Sequence, residues 1–244
     1  MYKRAKNIPK SKTRDFIKEN YDNLILDDIL LVEGGRAELI RAFRGIQALL
    51  VKVPIDSVEA LAEIAAFEAL GSYNPDDVSI IGPVRKLSIR RRFRNEDEIA
   101  LEMPILTCSL AMIPQPVSSR VLRVVATSLV NALNFIHSKN IIHGDIKISN
   151  ILIYGGKLYL ADFGSSVKIG EKVTSTTYSL IPENLSQDNL LATKALDWFQ
   201  VALVLAHLKD YISHDSRTSR ETLLAFLAPL VHEIEEIQSI MSNL

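Results

Sequence analysis

The stretch IIHGDIKISNILIYGGKLYLADFG, residues Ile141–Gly164, decides how the rest of the chain is read. Within it, Ile151–Ile153 and Leu158–Leu160 are short apolar runs of strand character. Tyr154-Gly155-Gly156-Lys157 between them carries the paired glycines of a tight hairpin turn. A polar loop, His143–Asn150, precedes the hairpin, and Asp162-Phe163-Gly164 follows it. Asp145, Lys147, Asn150 and Asp162 therefore sit at strand ends or in a loop, over 18 residues. Phosphoryl transfer needs a carboxylate to orient the attacking hydroxyl, a cation to steady the migrating phosphate, and oxygen ligands to hold magnesium. These four residues supply that set.

Working outward toward the N-terminus, Leu122, Val125, Leu129, Leu133 and Ile136 recur at spacings of three and four. That pattern predicts a long amphipathic helix capped by Ser118 or Ser119. Further upstream, Leu24–Leu26, Ile29–Val32, Leu39–Ala42 and Ala48–Val53 read as strands, the last ended by Pro54. Asp56-Ser57, with Glu59 in capping-box register, opens a helix. Its apolar stripe is Val58, Leu61, Ala62, Ala65 and Ala69, and its stop is Gly71. Val78–Ile89 and Glu98–Leu106 read as two more strands. The six cations of residues 85–94 between them form either a charged hairpin turn or a site for an acidic partner. From Ala192 onward the pattern is helical. A strand-rich first third with one helix, then a mainly helical remainder, predicts an α+β fold in two lobes. The boundaries are a basic arm over residues 1–20, an N-terminal lobe over 21–110 and a shortened C-terminal lobe over 111–244.

Composition sets the limits. The 244 residues carry 28 basic and 29 acidic side chains, a formal charge of −1, and 48% hydrophobic residues. This is globular, with no global electrostatic reason to bind nucleic acid or an anionic membrane. A single cysteine, Cys108, excludes an internal disulfide framework, and no Cys/His cluster has zinc-ligand spacing. The most apolar stretches carry interruptions and fall short of ~18 uninterrupted apolar residues, so no membrane span is expected. MYKRAKNIPKSK lacks the apolar core of a secretory signal. An intracellular protein, in cytoplasm and/or nucleus, is expected. The seven basic residues of the first 20 form a solvated tail or a targeting or anion-docking arm.

The loop His143-Gly144-Asp145-Ile146-Lys147-Ile148-Ser149-Asn150, followed by Asp162-Phe163-Gly164, resembles the catalytic and magnesium loops of the eukaryotic protein-kinase family, H-x-D-x-K-x-x-N and D-F-G. The resemblance spans about residues 24–210 and implies a bilobal kinase-like fold that uses ATP and Mg2+ on a protein substrate. It implies Asp145 and Lys147 as the catalytic pair, with Asn150 and Asp162 as magnesium ligands. Lys52, in Leu49-Leu50-Val51-Lys52, matches the lysine that holds the α- and β-phosphates. Glu63, 11 residues on, matches its ion-pair partner and puts Phe67 where the family packs a hydrophobe under Phe163 and His143. Adenine would rest on Leu39, Leu50 and Leu152. Ile181-Pro182-Glu183 resembles A-P-E, Asp197 the aspartate opening the central buried helix, and Thr176 the threonine that contacts the catalytic aspartate and lysine. Arg217 and Arg220 are the candidates to pair with Glu183.

The pattern departs in several places. The glycine-rich phosphate loop falls on Val32-Glu33-Gly34-Gly35-Arg36-Ala37-Glu38-Leu39, where only the middle glycine, Gly34, survives. Leu50 replaces the alanine expected over the base. With Leu101 as gatekeeper and Glu102 as the next hinge residue, Pro104 falls where the family uses an amide that proline lacks. Gly144 replaces the arginine that normally pairs with an activation-loop phosphate, which implies a segment needing no phosphorylation. That segment, Asp162–Glu183, is 22 residues long with hydroxyls at Thr174, Ser175, Thr176, Thr177, Tyr178 and Ser179. Lys147 two residues after Asp145 is the family's serine/threonine mark, and the H-G-D-I-K loop resembles the spindle-assembly-checkpoint branch. The alternatives are a pseudokinase scaffold with a regulatory protein partner, and a small-molecule phosphotransferase whose loop also reads H-G-D.

Overall fold

Alternating apolar residues in the first third of the chain build one antiparallel sheet. Its strands are β1 (Ile25–Leu31), β2 (Ala37–Arg44), β3 (Gln47–Pro54), β4 (Arg85–Arg90) and β5 (Asp97–Pro104), in the order β1-β2-β3-β5-β4. The structure, a computed structural model, describes residues 21, 23–31, 37–54, 57–90, 97–105 and 108–244. The basic arm, Val32 and Gly34 of the expected phosphate loop, Asp56 and residues 91–96, where a charged turn is expected, lie outside the described residues. The runs expected as two strands at Leu24–Leu26 and Ile29–Val32 are one strand, β1, whose register shifts between Leu26 and Leu30. At that irregularity Asp27 meets the Arg41 guanidinium.

Register fixes what shares a face. Leu39, Lys52 and Leu101 stand opposite one another across three strands, as do Arg41, Leu50 and Met103. Neighbouring residues point the other way. Ile40, Val51, Ala42 and Leu49 line that second face, all buried, and Leu87 and Ala100 extend its core. The strand expected from Val78 begins only at Arg85. Pro75–Val78 forms a short helix, α2, capped by Asn74, Ser79 takes a left-handed φ of 55°, and Pro83 has no amide to donate.

Helix α1 (Ser57–Leu70) ends as expected at Gly71, whose φ is +69°. Its buried face is not the expected stripe. Val58 and Leu61 are 60% and 49% exposed, whereas Ala60, Glu63, Ala66 and Leu70 are buried. Apolar residues surround most of this helix, so tertiary anchors choose the face: Glu63 binds Lys52, and the Phe67 ring packs on Phe163.

The described residues divide into two compact units, one made of those within 1–64 and 82–105, the other of those within 65–81 and 106–244. The second is built on helix α3 (Ser119–Ser138), capped by Ser118, whose Oγ accepts the Val121 amide at 3.4 Å. Leu122, Val125, Leu129, Leu133 and Ile136 form its buried stripe. By length and composition α3 could cross a membrane, yet that stripe packs into the protein core with helix α4 (Lys194–Leu208), buried from Leu196 onward. Helices α5 (Arg220–Leu227) and α6 (Glu236–Asn243) complete the unit. Strand β6 (Cys108–Ser109) joins the expected hairpin of β8 (Ile151–Tyr154) and β9 (Lys157–Leu160). Gly155 and Gly156 at its turn have φ of 57° and 77°, the left-handed pair a two-residue hairpin demands. Strand β7 (Ile141–Ile142) pairs with β10 (Val167–Lys168). The fold is α+β.

Candidate active site

Residues 143–147 lie outside any strand or helix, so their backbone needs partners from elsewhere. Helix α4 provides them. Asp197, fully buried in its first turn, accepts the His143 amide (3.0 Å) and His137 Nε2 (2.8 Å) on Oδ2, and the Gly144 amide (2.9 Å) on Oδ1. Gln200 accepts the Ile146 amide on Oε1 (2.8 Å) and donates from Nε2 to the Gly144 carbonyl (3.0 Å). The His143 ring is fixed on both sides. Its Nε2 donates to the Ala161 carbonyl (3.1 Å), and its Nδ1 accepts the Asp145 amide (3.3 Å).

The Asp145 carboxylate, buried at 5% exposure, gathers the other site residues. Oδ2 accepts Lys147 Nζ at 2.7 Å and Asn150 Nδ2 at 3.4 Å, and Oδ1 accepts the Thr177 amide at 2.7 Å. Lys147 Nζ also donates to the Thr177 hydroxyl at 2.8 Å. The threonine expected at this centre is Thr176, but its hydroxyl goes to the Gly144 carbonyl (2.7 Å) and lies 3.5 Å from Asp145 Oδ1. A 3-10 turn starting at Thr177 turns that residue onto the lysine instead.

Asn150 spends its amide nitrogen on Asp145, on the carbonyl at 2.9 Å as well as on the carboxylate. Its amide oxygen is the atom left to act as a metal ligand. Asp162 has a left-handed φ of 64°. The next residue, Phe163, is fully buried, with ring centroids 4.8 Å from Phe67 and 4.7 Å from His143. An amide oxygen and a carboxylate suit magnesium, a hard cation that keeps water and phosphate oxygens as its remaining ligands. Among the described residues no group of three His, Cys, Asp or Glu side chains forms a metal cage of its own. The hairpin carrying Leu152 is tied to α2. Tyr159 Oη donates to Asp76 (2.5 Å), and Lys157 pairs with the same carboxylate (2.8 Å). These partners hold the Asp76 pKa below its ordinary value. Burial, aided by Asp76, pushes the Tyr159 phenol up to about 12. Leu152 packs, half-buried, against Ile81, Tyr159 and Ala161.

In the first unit, Lys52 Nζ lies 2.9 Å from Glu63 Oε2, with the glutamate fully buried. Glu63 is thus the partner, and Glu68 is exposed on another side of the helix. Leu39 and Leu50 share the Lys52 face. Glu102 does not. It lies inside β5, on the opposite face, with its carboxylate on Arg44 Nη2 (2.5 Å) and its carbonyl accepting the Val84 amide (2.7 Å). Ladder pairing runs on to Pro104, opposite Leu49, so Glu102, expected as the residue that follows the strand, is corrected to a position inside it.

A second correction concerns Glu183. Among the described residues no ion pair joins it to Arg217 or Arg220. Arg217 donates instead to the carbonyls of Ile181, Pro182 and Leu185. Sequence reasoning also gave no role to Gln200, whose contribution is made through backbone groups that residue type does not reveal.

The description "protein kinase domain" matches residues 87–239 of the chain, more than half of it. Curated relatives include a Wee1-like protein kinase of Arabidopsis thaliana, 26% identical over 156 residues that make up 62% of this chain and 29% of the relative. The serine/threonine-protein kinase meng-po of Drosophila melanogaster is 30% identical over 105 residues, 39% of this chain and 23% of its own. The mitogen-activated protein kinase kinase mkk2 of Aspergillus fumigatus is 38% identical over 80 residues, 30% of this chain and 16% of its own. The chain spans under a third of the length of each of these relatives. The family match covers the Asp145 centre and the Asp162-Phe163-Gly164 loop: this chain belongs to the protein kinase family.

Proposed function

We propose that the chain is an ATP- and magnesium-dependent serine/threonine protein kinase. The observation that carries this reading is Lys147 Nζ, bridging Asp145 Oδ2 at 2.7 Å and the Thr177 hydroxyl at 2.8 Å. A carboxylate and a cation are held together beside a hydroxyl by a buried scaffold, as preorganised phosphotransfer requires. Magnesium-bound ATP supplies a γ-phosphoryl group open to attack. In this reading Asp145 orients a Ser or Thr hydroxyl of a protein substrate and takes its proton. Lys147 offsets the charge on the transferring oxygens. Asn150 and Asp162 hold the metal, and Lys52, steadied by Glu63, binds the α- and β-phosphates. Leu39 and Leu50 offer apolar contact to the base.

Asp145→Asn is expected to lower phosphotransfer to Ser/Thr peptides by at least ~100-fold, with ATP affinity by calorimetry unchanged. Equal turnover in the variant would remove Asp145 from the chemistry. An intracellular setting, a regulatory partner and a role in cell-cycle control belong to the same proposal, the last supported by Gly144 alone. A second reading, a binding scaffold without turnover, draws on Leu50 standing beside Met103 on the Lys52 face. It predicts that Leu50→Ala tightens ATP binding.

A further inference from the structure

Strand β4 forms one margin of the five-stranded sheet. It pairs with β5 in unbroken register, from Arg85 opposite Glu102 to Arg90 opposite Asp97. Among the described residues no strand meets its other edge, where every second residue of an antiparallel strand points its amide and carbonyl outward. The far margin of the sheet is a poorer template, because β1 breaks register between Leu26 and Leu30. Charge is added to the open edge by the first two side chains of β4. Arg85 and Lys86 are both exposed, and as neighbours in a strand they stand on opposite faces. The carboxylate across from Arg85 is that of Glu102, but the Arg44 guanidinium takes it. Across from Lys86 stands Leu101, which offers no charge. Among the described residues neither cation has an ion-pair partner. Val84, just before the strand, is 69% exposed, while its amide is held by the Glu102 carbonyl (2.7 Å).

We propose that the open edge of β4 is a docking site for a partner protein, which adds a β-strand carrying two consecutive acidic residues. Amides and carbonyls at strand spacing are matched by another polypeptide, and by neither a nucleic acid nor a lipid headgroup. A second copy of β4 would bring cations against cations, which works against self-pairing. Consecutive residues of an added strand fall on alternate faces. One acidic residue therefore meets Arg85 on one face, the next meets Lys86 on the other, and an apolar neighbour covers Val84.

The probe is a blocked synthetic peptide, Val-Thr-Val-Asp-Glu-Val-Thr-Val, titrated into the full chain by calorimetry, with deuterium exchange of the β4 amides followed in parallel. Binding is expected, together with slower exchange along β4. The same peptide methylated at every backbone nitrogen keeps its charge, cannot pair as a strand, and is expected to lose both effects. Arg85→Glu combined with Lys86→Glu is expected to weaken binding by about 10-fold or more. That variant is also expected to gain affinity for the peptide with Lys-Lys in place of Asp-Glu. Both side chains are exposed, so the variant is expected to fold. Should it not, the two modified peptides decide the matter on the wild-type chain. No binding at millimolar peptide overturns the proposal and leaves the cations as guards against self-pairing. Equal binding of the methylated peptide overturns it too. Heparin or single-stranded DNA binding more tightly than the peptide, with β4 unprotected, gives the cations to polyanions instead. Dimerisation without peptide, seen by sedimentation with β4 protected, gives the edge to a second copy and likewise overturns it. None of these readouts depends on turnover by the chain, so a failed kinase assay leaves the test intact.

Discussion

Gly144 has a φ of +77°, and a Cβ built on it would lie 3.2 Å from the Ser165 carbonyl oxygen and 3.7 Å from Val173 Cγ1. Left-handed backbone costs an L side chain ~1–2 kcal/mol, and the Ser165 carbonyl would have to give way as well. Gly144→Arg, which restores the family's usual residue, is therefore expected to lower the melting temperature by roughly 2–8 °C. Calorimetry checks this, and an unchanged value would mean the loop relaxes around the side chain. The Lys52–Glu63 pair was implied by the family resemblance, and the two side chains do meet; Asp145, Lys147 and Asn150 gather as their spacing within one loop suggests. Thr177 was not legible in the sequence, because two threonines stand side by side and only the turn beginning there chooses between them. The partners of Arg217 were equally hidden. A guanidinium suggests a carboxylate, and here it takes carbonyls more than 30 residues away.

Elements differ in how far their sequence period can be trusted, and α1 and α3 show why. In α3 one side carries Arg120, Arg123, Asn131 and Asn134, all exposed, so the apolar stripe is unambiguous and lies where spacing places it. In α1, alanines at 60, 62, 65, 66 and 69 surround the axis, and no polar side opposes them. The face is then set by Glu63 and by Phe67, which pull Ala66 and Leu70 inward and leave Leu61 exposed. Leu70→Ala is expected to cost ~2–5 kcal/mol, and Leu61→Ala no more than ~0.5 kcal/mol. Urea denaturation of the two variants checks this. A larger loss at Leu61 would restore the face that spacing alone suggests. The strand anticipated at Val78–Ile89 failed for a related reason: apolar alternation is present, but Asn74-Pro75 starts a helical turn and Pro83 removes a ladder donor.

At the scale of the molecule, acid sensitivity has a local source. His207, in the last turn of α4, is 3% exposed, its Nε2 has no hydrogen-bond partner among the described residues, and its ring centroid is 4.3 Å from that of His214. Burial, and then the neighbouring His214, push its pKa down from 6.5 to about 4. Between those values the unfolded chain binds a proton that the folded chain does not. The stability contributed by neutral His207 is fully present above pH 6.5 and is lost as pH falls toward about 4. Melting temperature against pH is expected to fall less steeply for His207→Leu than for wild type in that window, and parallel curves would remove His207 as the cause. The same helix has another effect on the molecule's behaviour in time. Because Asp197 and Gln200 hold the amides of His143, Gly144 and Ile146, those loop hydrogens are expected to exchange with deuterium about as slowly as the amides of α4. A segment with the outline of a loop thus keeps the isotopic clock of the core.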